Sequence, residues 1–231
     1  MNRWEPNRRA QSIARAVLER LGPTITEADS EASIAERAVR FLAEAGVDQT
    51  WYHDCPALVL LGSRSCASVS GRHYEPSSES VGRLDLVTVD LSPCLDGAWG
   101  DCARSFAIES GRFIRNPETD ELRRGLAFER QLHDSMRAFV TPETTFEQLH
   151  EFSIGEIVTG GYENLDANGN LGHSIESRLE DRVYIEPGNS TRLSDAGLFT
   201  FEPHIRAAGG RWGFKRENIY YFDESGRAVA L

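Results

Sequence analysis

The chain has 231 residues, of which 40% are hydrophobic and 26% charged, and a formal net charge of −11. That length and composition fit a soluble globular protein with room for a real core. The acidic balance argues against a nucleic-acid role, which leaves a clustered basic footprint, and no apolar run approaches the roughly 20 residues that span a bilayer.

The first residues, MNRWEPNRRAQS, hold no apolar stretch of the kind a secretory signal needs, so the expected compartment is the cytoplasm. Residues 7–21 (NRRAQSIARAVLERL) read as a helix, and Ile34, Ala38, Phe41, Leu42 and Ala45 then keep helical spacing. Between them, Pro23 precedes Thr26, and Thr26-x-x-Asp29 is a loose capping box. A β-rich stretch (QTWYHDCPALVLLG), a serine-rich loop and a hairpin follow. Residues 119–140 are helix-like again, Pro142 precedes Thr145, and Thr145-x-x-Gln148 fits a capping box that opens a second helix through Leu149, Phe152 and Ile157. After a Gly/Asn loop, strands are expected around RVYIEPG, GLFTFEPHI and ENIYYFD. Two α-α-β runs predict an α+β fold; on these pieces alone, a duplication and a chance likeness between two helix pairs stand level. The cysteines are Cys55, Cys66, Cys94 and Cys102, with no C-x-x-C pair, so reduced thiols are the default and Cys102 reads as packing.

The stretch VTVDLSPCLDGAWGDCARSF, residues 87–106, places Asp90 inside an apolar strand and Asp101 beyond an Asp96-Gly97 turn. If those two turn residues close a tight hairpin, Asp90 lies opposite Ala103 and Ser92 opposite Asp101. Period-two alternation then puts both aspartates on one face as diagonal neighbours, about 7–8 Å apart. Like charges this close repel or raise a pKa unless a cation lies between them. A solvated hairpin is the plain alternative; the apolar neighbours of Asp90 favour a metal. Further ligands must come from later in the chain. His173 follows a flexible glycine loop, Glu202 interrupts the apolar run FTFEPHI, and Glu217 heads the last long strand.

The ordered set Asp90, Asp101, His173, Glu202 and Glu217 resembles the metal-ligand pattern of the pita-bread metallopeptidases, which include methionine aminopeptidases, aminopeptidase P and prolidase. The blocks LDLVTVDLSPCLDGAWGDCARSF, LGHSI, FTFEPHI and KRENIYYFDESG are each similar to a block of that family. The resemblance implies a single catalytic pita-bread domain over residues 1–231, with pseudo-symmetric halves of about 1–115 and 116–231 around a curved antiparallel sheet and no separate N-terminal domain. It implies two divalent ions, Mn²⁺, Co²⁺, Fe²⁺ or Zn²⁺. Asp101 and Glu217 would bridge them, Asp90 would complete one site, and His173 and Glu202 the other. Glu202 would also act as general base, and the reaction would be cleavage after the first residue of a peptide. His73, 17 residues before Asp90, resembles a substrate-contacting histidine of the proline-specific branch.

Two departures bear on substrate. The second family histidine, seven positions after the metal-bound one, is Glu180 here, read as a substrate-binding acid. His204 shares a strand face with Glu202 and is the candidate replacement imidazole. Three functions follow in order: an aminopeptidase or X-Pro peptidase, a metallo-hydrolase of a modified amino acid or small amide, and a non-catalytic binding module. The expected partners are a peptide or small amide substrate, with no nucleic acid and no membrane, in a monomer or homodimer.

Overall fold

A helix pair followed by antiparallel strands occurs twice along the chain. The structure, a computed structural model, describes residues 3–231. The first run comprises α1 (Glu5–Leu21), α2 (Glu31–Glu44), β1 (Gln49–Thr50), β2 (Ala57–Leu61), β3 (Leu84–Leu91), β4 (Pro93–Leu95), β5 (Ala98–Trp99), β6 (Cys102–Glu109) and β7 (Arg112–Phe113). The second comprises α3 (Asp120–Phe139), α4 (Phe146–Thr159), β8 (Tyr162–Asn164), the short α5 (Leu193–Ala196), β9 (Phe199–Phe201), β10 (His204–Ala207), β11 (Gly213–Lys215), β12 (Asn218–Phe222) and β13 (Ala228–Ala230). The strands pair antiparallel throughout, as β2-β3-β6-β7, β1-β4-β5, β11-β10-β8 and β13-β12-β9. This is the expected α+β, pita-bread arrangement.

The helices bury one stripe each. Ile34, Ala38, Phe41 and Leu42 of α2 join Leu18 and Leu21 of α1 against Val87, Val89 and Phe106 of the sheet. In the second run Leu122, Leu126, Leu149 and Ile157 cover Phe199, Phe201 and Phe214. Thr145 and Gln148 form the expected capping box at α4. At α2 the expectation shifts by four residues: Ser30 and Ser33 make the box. Thr26 and Asp29 instead form a turn ahead of it, with the Thr26 N–H donating to the Asp29 carboxylate, which also binds Arg37. Thr26 and Thr145 still hold matching places, since each makes an isolated bridge, to Arg112 and to Arg192.

RVYIEPG does not become a strand of its own. It pairs only locally with the His173 loop, through Ser174 N–H to the Val183 carbonyl (2.7 Å) and Ile185 N–H to the Gly172 carbonyl (2.8 Å). Pro187, which lacks an N–H, lies just beyond that pairing. Cys102 is fully buried in the first core, as expected, and all four cysteines are free thiols. No helix of the described residues is long and apolar enough to cross a membrane.

Candidate metal centre

The hairpin adopts the register expected from its turn. Asp96 and Gly97 both have positive φ (52° and 80°), as a two-residue turn of the primed type requires. Asp90 lies opposite Ala103, and β4–β5 continue the same register, so Ser92 faces Asp101. In the second run β9–β10 and β11–β12 behave as one broken hairpin. Phe201 pairs with Asn218 and His204 with Lys215, and carrying that register across the gap sets Glu202 opposite Glu217. Pro203 has no N–H to give the ladder, which accounts for the break beside Glu202.

These elements bring all five expected ligands together. Donor atoms of Asp101, His173 and Glu217 lie within 4.8 Å of one another, as do those of Asp90, Glu202 and Glu217, so Glu217 is common to both sets. His173 Nε2 stands 3.4 Å from Asp101 Oδ2 and 3.7 Å from Glu202 Oε1. Its Nδ1 donates to the Ser174 carbonyl (2.8 Å), which fixes the tautomer and leaves Nε2 as a lone-pair donor. Gly172 has φ of +145°, and a side chain there would collide with the Thr200 carbonyl oxygen; this close approach seats the His173 loop on β9.

The donor set fits divalent cations. Asp101 Oδ2 and both carboxylate oxygens of Glu217 are buried and accept no hydrogen bond among the described residues. Oxygens left this way are the ligands a hard or borderline cation takes, with one imidazole added. The electrostatics agree. Burial, then the charges of Asp101, Glu202 and Asp90, push Glu217 well above the usual carboxylate range. Burial also lifts Asp101 to about 6, against the pull of His173. Burial disfavours the His173 imidazolium, yet contact with Asp101 and the Glu202 charge outweigh it and raise the ring. Lys215 Nζ is bound to Asp90 Oδ2 (2.6 Å) and Glu202 Oε2 (3.0 Å). Burial alone would raise Glu202, but Lys215 and His173 together hold it below its ordinary value.

Residues far away in sequence fix the ligand backbones. Gln11 of α1 clamps Asp101 from both sides: its Oε1 accepts from the Asp101 N–H (2.7 Å) and its Nε2 donates to the Asp101 carbonyl (2.8 Å). Gly100 lets α1 come this close, since a Cβ there would meet the Ala10 carbonyl carbon at 2.8 Å. Arg104 donates to the Glu217 carbonyl (2.7 Å) and to Asn218 Oδ1 (2.8 Å). The Thr200 hydroxyl accepts from the His173 N–H (3.0 Å).

The ligands open onto a cavity of about 380 Å³. His204 lines it, with Nε2 donating to the Ser65 carbonyl (2.6 Å) and burial lowering its pKa to about 4. His73 and Glu180 do not line it. His73 is exposed on a short 3-10 turn, and the nearby His53 takes the cavity wall instead. Glu180 sits exposed on a second 3-10 turn (Leu179–Asp181), held by Arg178, because the chain there turns outward before pairing beside His173. Arg182 and Tyr184 line the cavity in its place, with the Arg182 guanidinium 5.3–5.7 Å from the rings of Trp51, Tyr52 and Tyr184. No local sequence signal marks Gln11, Arg104 or Arg182; the run of aromatics in TWYH and VYI is the nearest hint of the cavity wall.

The likeness to known proteins runs along the whole chain. It is 24% identical over 212 residues to methionine aminopeptidase 1 of Mycobacterium tuberculosis (strain CDC 1551 / Oshkosh), covering 85% of this chain and 74% of that protein. The fold superimposes on recombinant prolidase from Thermococcus sibiricus with a TM-score of 0.79 at 21% identity, covering 98% of this chain and 57% of that one. On X-Pro aminopeptidase from Thermotoga maritima MSB8 the TM-score is 0.80 at 19% identity, covering 98% of this chain and 59% of that one. The chain therefore spans somewhat over half the length of these two solved relatives. The family model for metallopeptidase family M24 matches residues 5–224, and the chain belongs to that family.

Proposed function

We propose that the chain is a peptidase that uses two divalent ions, of the Mn²⁺, Co²⁺, Fe²⁺ or Zn²⁺ class, to cleave after the first residue of a short peptide. The observation that carries this reading is the pair of three-ligand sets meeting in the one buried carboxylate of Glu217. Paired ions of this kind, when bound, make water a nucleophile at neutral pH and polarise the scissile carbonyl. Asp101, His173 and Glu217 would hold one ion, and Asp90, Glu202 and Glu217 the other. This grouping shares Glu217 alone and sets Glu202 with Asp90, where the family pattern has Asp101 and Glu217 both shared and Glu202 with His173. Glu202, kept ionised by Lys215, is the group placed to take a proton as general base. His204 is neutral with its N–H committed to Ser65, so it contributes an acceptor rather than a positive charge.

The cavity wall supports a refinement. Arg182 is a guanidinium among three aromatic rings, facing the same cavity as the ligands. A cation there favours substrates short enough for their free carboxylate to reach it, such as dipeptides or small amide acids. Neither His73 nor Glu180 lines this cavity, so this reading assigns them no role in it.

The test is metal content by elemental analysis, then hydrolysis of Met-, Ala- and X-Pro-peptides and of small amide acids after loading with Mn²⁺ or Co²⁺. Near two ions per chain, cleavage of at least one peptide, and a loss of about 10²–10⁴-fold in Glu202→Gln are expected. Turnover of amide acids alone would favour the small-metabolite hydrolase, and absence of metal after reconstitution would sink both.

A further inference from the structure

A second cavity, of about 250 Å³, lies between α1 and α3 over Arg104 and Phe106 of β6. None of its lining residues lines the metal-site cavity. Its wall is a cluster of guanidiniums: Arg15 from α1, Arg104 from β6, Arg115 after β7, Arg130 from α3, and Arg216 from the turn before Glu217. Arg104 is engaged with the Glu217 carbonyl and Asn218. The side chains of Arg15, Arg115, Arg130 and Arg216 make no hydrogen bond and no ion pair within 4 Å among the described residues, although the Arg216 carbonyl accepts from His133 Nε2 (3.0 Å). Two acids, Glu19 and Glu129, stand against these five cations.

Glu129 offsets them only in part, through the charges of Arg216, Arg104 and Arg130 at longer range. It is 3% exposed, no arginine comes within ion-pair distance, and its Oε2 accepts no hydrogen bond. Burial, partly offset by Arg216, lifts its carboxyl to about 7. Arg216 is half-buried and shares the cavity wall with Arg104. Five guanidiniums against two acids, with Arg15, Arg104 and Arg216 partly buried and Arg115 and Arg130 exposed at the rim, leave an excess of positive charge that an anion would offset. Apart from Ser105 the rest of the wall is apolar, with Leu18, Phe106 and Leu126. The volume falls below the range of drug-sized pockets, so the occupant is small.

We propose that this cavity binds a small organic anion, a phosphate or carboxylate group carried on an apolar body, with Arg15, Arg130 and Arg216 gripping the oxyanion and Leu18, Phe106 and Leu126 packing on the body. Planar guanidiniums are matched to both headgroups through paired N–H donors. The site rests on no assumption about the reaction at the metal centre. It does adjoin that centre through the backbone, since Arg216 precedes Glu217 and Arg104 holds the Glu217 carbonyl.

Isothermal titration of inorganic phosphate, phenyl phosphate and hexanoate into the metal-loaded full chain tests this. At least one probe should bind saturably, phenyl phosphate more tightly than phosphate, and the tighter class of headgroup identifies the natural one. Binding should weaken about tenfold or more in Arg15→Gln/Arg130→Gln. Arg130→Gln alone changes an exposed helix position and serves as the variant certain to fold, with a smaller loss. No saturable binding of any probe would overturn the proposal. So would equal binding by wild type and the double variant, which would place the anion at the metal centre.

Discussion

The two halves deliver their carboxylates by different means. Asp90 sits inside β3, on the unbroken β3–β6 ladder, while Asp101 lies across the same hairpin in the gap between β5 and β6, where Gln11 holds its backbone. Glu202 and Glu217 sit in gaps between strands, at Pro203 and at Arg216, where the ladder on either side keeps register but the ligand residues themselves lie outside it. A carboxylate on a regular ladder is aimed by the ladder. One in a gap must be held by side chains reaching in, and Gln11 at Asp101, Arg104 at Glu217, and Thr200 and Lys215 at Glu202 do that here.

The sharpest way to break this contrast is Arg104→Ala. It removes both donors that tie the Glu217–Asn218 turn to β6 and leaves the buried Glu217 carbonyl without its side-chain partner. Outer partners of metal ligands are typically worth 10–100-fold in metal affinity, and a loss of that size is expected by chelator competition. Affinity unchanged within twofold would mean that the flanking strands alone aim Glu217.

Gln11→Ala applies the same cut to the hairpin half. It leaves the Asp101 N–H and carbonyl unpaired in the core, at a cost of about 1–3 kcal/mol for each buried group, read as a lower urea midpoint. Metal affinity should fall as well, because Asp101, like Glu217, lies in a gap between strands where a side chain from elsewhere holds its backbone. Affinity unchanged within twofold would mean that β5 and β6 alone aim Asp101.

The same distinction explains what could be read from the chain alone. The hairpin pairing followed from Asp96-Gly97 and a period of two, both local. Glu202 was conspicuous because a charge followed by proline interrupts an apolar run. The capping box at Thr145 was legible for the same reason, and its counterpart slipped to Ser30 because Asp29 is drawn to Arg37, eight residues further along the chain. Gln11 and Arg104 were invisible: their partners lie 90 and 113 residues distant, and a buried glutamine on an amphipathic helix gives no local sign of what it touches. His73 and Glu180 rest on spacing from a family pattern, and spacing says least about position where the intervening backbone is irregular, as it is before these two, which lie outside the cavity lining. His73 follows a serine-rich loop of 3-10 turns, and Glu180 follows a segment that leaves the sheet after Ile175 and returns at Val183.

Glu180 gives the smallest predicted effect. Its carboxylate is fully exposed and held by Arg178, and that contact, with the backbone N–H it accepts, keeps its pKa below the ordinary value. An exposed pair of this kind contributes little to stability and reaches no substrate in the cavity. Glu180→Ala should therefore leave metal affinity, kcat and KM within twofold of wild type on whichever substrate the chain turns over. Arg182→Ala, two residues along but on the cavity wall, should raise KM for substrates with a free carboxylate and leave their amidated forms unaffected. A KM effect in Glu180→Ala larger than in Arg182→Ala would mean that the 179–181 turn folds inward over the substrate, and the assignment of the two residues would have to be exchanged.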